Sequence, residues 1–462
     1  MTMDSTKTPR SGQLARFEPR ERLTSLVSVF PEMRRTTLAV WTRPAFKEPV
    51  QLYDNGFVQA LFLSDPDALR QVLTDPATFG KTRVQGAVLK PALGNGLLTS
   101  EGEAWAGQRR AMQPAFKGSQ IRALVPMMAE VVRARLNAWR AEGPRELDLH
   151  PEMMDLTLEI LCNTLFTDLS LDRYALGRCI TDYLDIYARP DRLTLLGVPG
   201  WVPRVKWWQA RSTLKTLRAT MDGILATRLA DPTPRSDFLT RLIEARDEET
   251  GRTLSHADIK DNLATFLAAG HETTAVALTW ALYLLGEFPW AAERICEEAD
   301  RVLGKDPAAP VTGEQAAGLT YTRQVLEEAM RLYPPVPMMD REVRKPVRVA
   351  GHDLRKGAII LISPYVLHRH ERVWDDPEAF DPDRFTPAAV KTRDRYAYMP
   401  FNLGPRTCIG MGFALTEGTL ALALIAQAFR VETLLPGKAI TPIALVSLRP
   451  KEGMPARLVP RA

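Results

Sequence analysis

The chain has 462 residues, 45% of them hydrophobic, with 60 basic against 55 acidic side chains and a net charge of +5. That is enough apolar material for a large core, and the small, dispersed positive excess excludes a nucleic-acid footprint. The four cysteines, Cys162, Cys179, Cys296 and Cys408, lie far apart, so no C-x-x-C metal or redox pair is present, which suits a reducing cytosol. Met1–Arg20 is polar and has no apolar signal core, and the longest apolar stretch, Ala275–Leu285, is too short to span a bilayer. The expectation is a soluble, cytoplasmic protein with no membrane partner.

Residues 1–44 read as an N-terminal extension, partly flexible and then loop-like. Alternation over Val50–Leu63 predicts hairpin strands. Helical periodicity predicts helices over 102–115, 121–140, 151–167, 205–230, 256–287, 289–303, 319–332 and 409–430. The helix over 256–287 would be about 48 Å long, with Ser255 and Asp258 as its capping box. Pro334-Pro335-Val336-Pro337 ends the helix before it, because proline disfavours helical conformation in the preceding residue. A second strand set is predicted over Val347–Ile362, with turns at Gly351-His352-Asp353 and Lys356-Gly357. Prolines, 35 in all, are frequent after residue 330 and predict a long ordered loop region before Cys408. The class is mainly α with small β-sheets.

The most informative run is Phe401-Asn402-Leu403-Gly404-Pro405-Arg406-Thr407-Cys408-Ile409-Gly410. A cysteine just before a helix start sits where amide groups favour a thiolate. Gly404 and Gly410 would let backbone approach the sulfur and a cofactor closely. Arg406 could pair with a cofactor carboxylate. The run matches F-x-x-G-x-R-x-C-x-G and resembles the ligand loop of the cytochrome P-450 family. The resemblance extends from about residue 45 to the end as one domain, 45–462. It implies a long central helix over haem b, a Cys-ligand loop beneath it, and Cys408 as the iron ligand. A thiolate on haem iron favours O–O cleavage.

Two further motifs strengthen the resemblance. Glu328 and Arg331 lie three apart on one helix face and can pair. Phe380-Asp381-Pro382-Asp383-Arg384-Phe385 resembles the family segment that supplies a third member, Arg384, so one carboxylate would accept forked bonds from two guanidinium groups. Ala269-Gly270-His271-Glu272-Thr273-Thr274 falls in the middle of the long helix. Its small residues would leave room for a planar cofactor, and Thr273 can back-bond to the Ala269 carbonyl. Glu272 and Thr273 resemble the family's acid–alcohol pair, which relays protons to the reaction centre. His271-Glu272 is not a zinc motif, because Ala275 stands where H-E-x-x-H needs its second histidine. Gly410-Met411-Gly412 is not a dinucleotide fingerprint, because Leu415 replaces the third glycine.

By resemblance, Trp105 and Arg109 form the family's W-x-x-x-R, and Arg341 and Arg406 are further propionate donors. Lys81 and His368 are weaker candidates. The substrate pocket would include Leu98, Thr265, Ala268, Val336, Met338 and Val446, which offer no charge anchor. The implied activity is insertion of one atom of O2 into a lipophilic small molecule. No electron-transfer domain is fused, so a ferredoxin and a ferredoxin reductase are the expected partners, with Arg110, Lys117 and Arg122 on the docking face and the enzyme a monomer. A peroxide-driven peroxygenase and a non-catalytic haem sensor are the rivals, and the Glu272–Thr273 pair argues against both.

Overall fold

The computed structural model describes residues 14–461 apart from 23–25, 168–171, 189–204, 232, 234, 236 and 436. Its axis is the helix His256–Glu287. The capping box forms as its sequence requires: Asp258 N donates to Ser255 Oγ and Ser255 N to Asp258 Oδ2, each at 3.1 Å. From Thr274 to Leu285 every residue is buried, as befits a helix that is apolar all round. Helices Leu149–Leu165, Thr320–Leu332 and Met411–Ala428 pack around it. Met411–Ala428 is long and apolar enough to cross a membrane, but 67% of its span is buried in this core.

Two apolar cores meet along the central helix. One takes Ile259 to Ala268 together with residues of 92–112, 158–183 and 210–254. The other takes Ala275 to Leu285 together with residues of 124–160, 288–333 and 415–458. They part at Ala269–Thr274, the segment that the sequence singles out.

The predicted helices are present as Gly102–Met112, Gly118–Ala141, Leu149–Leu165, Val205–Ala230, His256–Glu287, Pro289–Leu303, Thr320–Leu332 and Met411–Ala428. The strands are more dispersed than predicted. A five-stranded sheet runs in the order Val50–Asp54, Gln59–Leu63, Ile359–Ile362, Met339–Val343, Phe79–Gly80. Ile359–Ile362 lies parallel to Gln59–Leu63, with Ala60 opposite Ile359. The predicted set over Val347–Ile362 therefore divides into this strand and a separate hairpin, Val347–Val349 with His352–Leu354. The hairpin's tight turn takes positive φ at Ala350 and Gly351, 45° and 82°, as two-residue turns of this kind require. A three-stranded sheet joins Arg145–Asp148, Pro455–Pro460 and Phe429–Thr433, and a last hairpin pairs Pro442–Ala444 with Leu448–Pro450.

The segment Leu14–Phe17 is held against the core. Leu14 and Ala15 are buried in the larger core with Leu38, Val40, Trp41 and Ala45. Three tyrosines grip its backbone. Ala15 N donates to Tyr283 Oη at 3.0 Å, Tyr333 Oη donates to Ala15 O at 2.8 Å, and Phe17 N donates to Tyr365 Oη at 3.0 Å. Backbone groups find partners even in an irregular segment when they are buried; here side chains from 268 to 348 residues away supply them.

Candidate active site

The loop 401–410 closes on itself. Cys408 N donates to Phe401 O at 2.9 Å, and Asn402 takes φ 59° inside the loop. Gly404 has φ +73°, and a Cβ there would meet Leu73 O at 2.3 Å. Glycine there lets the loop dock on helix Pro66–Thr74. At Gly410 a Cβ would stand 3.9 Å from Cys408 Sγ, an ordinary contact among its protein neighbours. Burial pushes the Cys408 thiol up, while the Gly410 amide, Arg109 and the Met411 amide pull it down without winning. The amide effect expected from the helix start is thus present but outweighed. Cys408 is nonetheless exposed at its own surface. A side chain deep in the protein and still exposed faces an internal space.

Ala269 does the same from the central helix, exposed between neighbours that are largely buried. Gly270 points elsewhere: a Cβ there would meet Leu161 Cδ2 at 3.0 Å, so this glycine serves the packing of helix Leu149–Leu165. Thr273 Oγ1 donates to Ala269 O at 2.8 Å, as the spacing predicts. Glu272 is buried, and its Oε1 accepts from Ser447 Oγ. His271 is buried too, with Nδ1 2.6 Å from Leu267 O and Nε2 without a hydrogen-bond partner among the described residues. Fully buried Glu417, beside Thr274, is pushed well above the usual carboxylate range by desolvation.

Cations gather at the rim of this space. Arg406 stacks over the Trp105 ring at 3.9 Å and donates to Ser100 O at 3.0 Å. Arg109 Nη1 donates to Thr407 O at 2.8 Å, next to Cys408. Trp105 and Arg109 share a helix face but serve different partners. Lys81 Nζ donates to Leu98 O and Ser100 O at 2.6 and 2.9 Å. Burial, with Arg406 next, pushes the Lys81 amine down to about 7. Burial also lowers Arg341, and it pushes Arg406 down to about 10, with Arg341 and Arg109 repelling it and Glu101 opposing. Half-buried cations that repel one another fit a ligand bearing carboxylates, and an exposed sulfur in an internal space fits a metal-centred one. These residues fit a haem.

Not every sequence candidate lines the space. Thr265 is buried, its hydroxyl donating to Asp261 O at 2.8 Å, and a Cβ on Gly96 would lie 2.4 Å from its Oγ1. It packs against the Gly94–Ser100 loop, which Asp261 and Asn262 dock through Asn95 N and Leu97 N at 2.7 and 2.8 Å. Ala268 is buried in the smaller core. Leu98 and Val446 stay 38% and 36% exposed, and Val336 and Met338 are partly buried. Of the docking-face cations, Arg110 is taken by Asp247 through bonds of 2.9 and 2.8 Å, whereas Lys117 and Arg122 are exposed.

The Glu328 network forms, with one change. Arg331 Nε and Nη2 fork onto Glu328 at 2.7 and 2.8 Å. Its remaining N–H groups reach His368 O, Pro377 O and Ala379 O. Arg384 stands off at 3.8 Å from Glu328 Oε1, and Asp381 N takes the hydrogen-bonding place at 2.9 Å. Buried His368 accepts from Met399 N through Nε2 at 2.9 Å, so it is a strut of this loop region and not a site residue.

A model of the cytochrome P450 family matches residues 35–454. The chain is a cytochrome P450. It is therefore a haem-iron monooxygenase by family. It is 36% identical over 398 residues, 86% of this chain and 84% of the relative, to cyclooctatin synthase of Streptomyces melanosporofaciens. It is 33% identical over 403 residues, 86% and 87% of the two chains, to pentalenene oxygenase of Streptomyces avermitilis. Among solved structures, the cytochrome P450DA heme domain superposes with a TM-score of 0.78 at 27% identity, covering 90% of each chain.

Sequence reading placed Ser447 in the candidate pocket wall, with Ala444–Ser447, and missed its bond to Glu272; it also passed over Glu417. Ser447 lies 175 residues from the acid it touches, and no local pattern announces such a contact. Glu417 is the one charged residue of the apolar helix Met411–Ala428, an anomaly that composition alone could have flagged.

Proposed function

We propose that this cytochrome P450 uses haem b to insert one atom of O2 into a lipophilic, largely hydrocarbon small molecule. The electrons come from a ferredoxin and its reductase, and the enzyme works as a cytoplasmic monomer. Cys408 ligates the iron, Arg109, Arg341, Arg406, Trp105 and Lys81 serve the propionates, and Ala269 leaves room over the ring. Haem iron held by a thiolate supplies dioxygen activation. Thr273 and Glu272 bring protons. The observation that carries this reading is the break between the two cores at Ala269–Thr274, where a buried acid stands next to an alcohol already bonded to Ala269. The Thr273 hydroxyl gives its hydrogen to Ala269 O, so its lone pairs remain to receive one from the acid side.

The substrate class follows from chemistry and kinship. The candidate wall of Leu98, Val336, Met338 and Val446 carries no charge. Relatives are named for cyclooctat-9-en-7-ol and pentalenene, a cyclic alkenol and an alkene. A cyclic terpene-like alkene or alkenol suits such a wall, and methionine lets it adapt.

The test pairs a binding screen with a variant. Pentalenene, cyclooctat-9-en-7-ol, steroids and fatty acids are compared by their type I spectral shift, and the alkenes should give the largest. With the best binder, Thr273→Ala should bind as the wild type does and consume NADH through the redox chain. It should release hydrogen peroxide in place of product, a loss of up to about a hundredfold in product per NADH. Wild-type coupling in that variant, with a substrate lacking hydroxyl groups, would remove Thr273 from the relay.

A further inference from the structure

Ser447 meets Glu272 across the fold. Its Oγ donates to Glu272 Oε1 at 2.5 Å, with the serine 1% and the glutamate 5% exposed. It belongs to the turn between Pro442–Ala444 and Leu448–Pro450, and both feet of that hairpin are tied. Ala444 N donates to Thr36 Oγ1 at 3.1 Å, Leu448 N to Pro335 O at 3.0 Å, and Trp280 Nε1 to Leu448 O at 2.7 Å. Trp280 lies on the same helix as Glu272, so the hairpin clasps that helix at two points. The hydroxyl is thereby delivered to one place.

The neighbours of Glu272 are fixed by other means. Thr273 bonds back to Ala269 and His271 back to Leu267. The glutamate has three rotatable side-chain bonds, and Ser447 is the hydrogen-bond partner it has among the described residues. A hydroxyl donor satisfies a buried carboxylate without pairing it to a cation.

We propose that Ser447 is a positioning residue of the proton relay, holding the Glu272 carboxylate in the orientation from which it serves Thr273 Oγ1. This rests on the relay reading above.

The test uses the haem-loaded full chain with reduced ferredoxin and reductase, and the panel compound that gives the largest type I shift. Ser447→Ala should lower product formation about tenfold, since misplacing a catalytic group by an ångström can cost up to a hundredfold. It should raise peroxide per NADH and leave the substrate dissociation constant within about twofold. Ser447→Thr keeps the hydroxyl and should restore turnover. Infrared difference spectra give a readout free of turnover. Comparison with Glu272→Gln assigns the Glu272 carboxylate band, which should move in Ser447→Ala and stay in Ser447→Thr.

Wild-type turnover, coupling and band position in Ser447→Ala, beside a slowed Glu272→Gln, would overturn the proposal and leave the relay standing. A loss in Ser447→Ala that Ser447→Thr fails to rescue, or that tracks weakened substrate binding, would make Ser447 wall packing and overturn it too. Wild-type behaviour of Glu272→Gln would overturn the relay itself and this role with it.

Discussion

Lys81 illustrates how burial and neighbouring cations tune a single side chain. Its amine is held down to about 7 by burial first and by Arg406 next, against about 10.4 in an unfolded chain. Between those values the unfolded chain holds a proton that the folded apoprotein does not, so apoprotein stability rises as pH climbs from about 7 towards 10. Propionate carboxylates would return the proton to Lys81. Haem uptake would then return a proton to Lys81 while thiolate ligation takes one from the Cys408 thiol, so wild-type haem affinity should change little with pH in this window. Titrating haem into apoprotein between about pH 7 and pH 9 checks this: Lys81→Gln loses the offset, and its affinity should rise with pH, approaching about tenfold per unit. The same pH dependence in both proteins would place the propionates elsewhere. The Cys408 sulfur shows the converse: burial outweighs the chain's own amides and Arg109 and pushes the thiol up.

Among elements, the loop region before Cys408 depends on one buried pair. Glu328 and Arg331 side chains are 0% exposed, and the guanidinium satisfies all five of its donors on Glu328 and three carbonyls of the following loops. Removing one partner strands the other without water, at a cost of about 3–5 kcal/mol. Glu328→Ala should therefore yield little soluble, haem-loaded protein, measured as haem content per chain and by thermal melting. Arg384→Ala should be milder, because Arg384 only approaches Glu328, at 3.8 Å. The pair was legible because three-residue spacing places both side chains on one helix face. The Asp381 amide that displaces Arg384 from hydrogen bonding was not, since a loop's backbone path leaves no periodic trace. Short strands such as Phe79–Gly80 and Met339–Val343 escaped for a related reason: two to five residues are too few to show alternation, and their pairing is decided by distant partners.

For the whole molecule, the long helices and their order were readable because each carries an apolar period against a large core. The grip on the N-terminal segment was not, since it depends on tyrosines far along the chain. The family match begins at residue 35, so Leu14–Phe17 lies outside it. Deleting residues 1–20 should lower the melting temperature. It exposes the core around Leu14 and Ala15 and leaves buried tyrosine hydroxyls unpaired, at about 1–3 kcal/mol for each. An unchanged melting temperature would show that Tyr283, Tyr333 and Tyr365 satisfy one another or water equally well. The central claim, that this fold presents Cys408 as the thiolate ligand of a haem, is tested most directly by the carbon monoxide spectrum of the reduced protein. Wild type should show the red-shifted Soret band of a thiolate ligand, and Cys408→Ala should lose it. Haem-loaded wild type without that band, or its persistence in Cys408→Ala, would contradict the account.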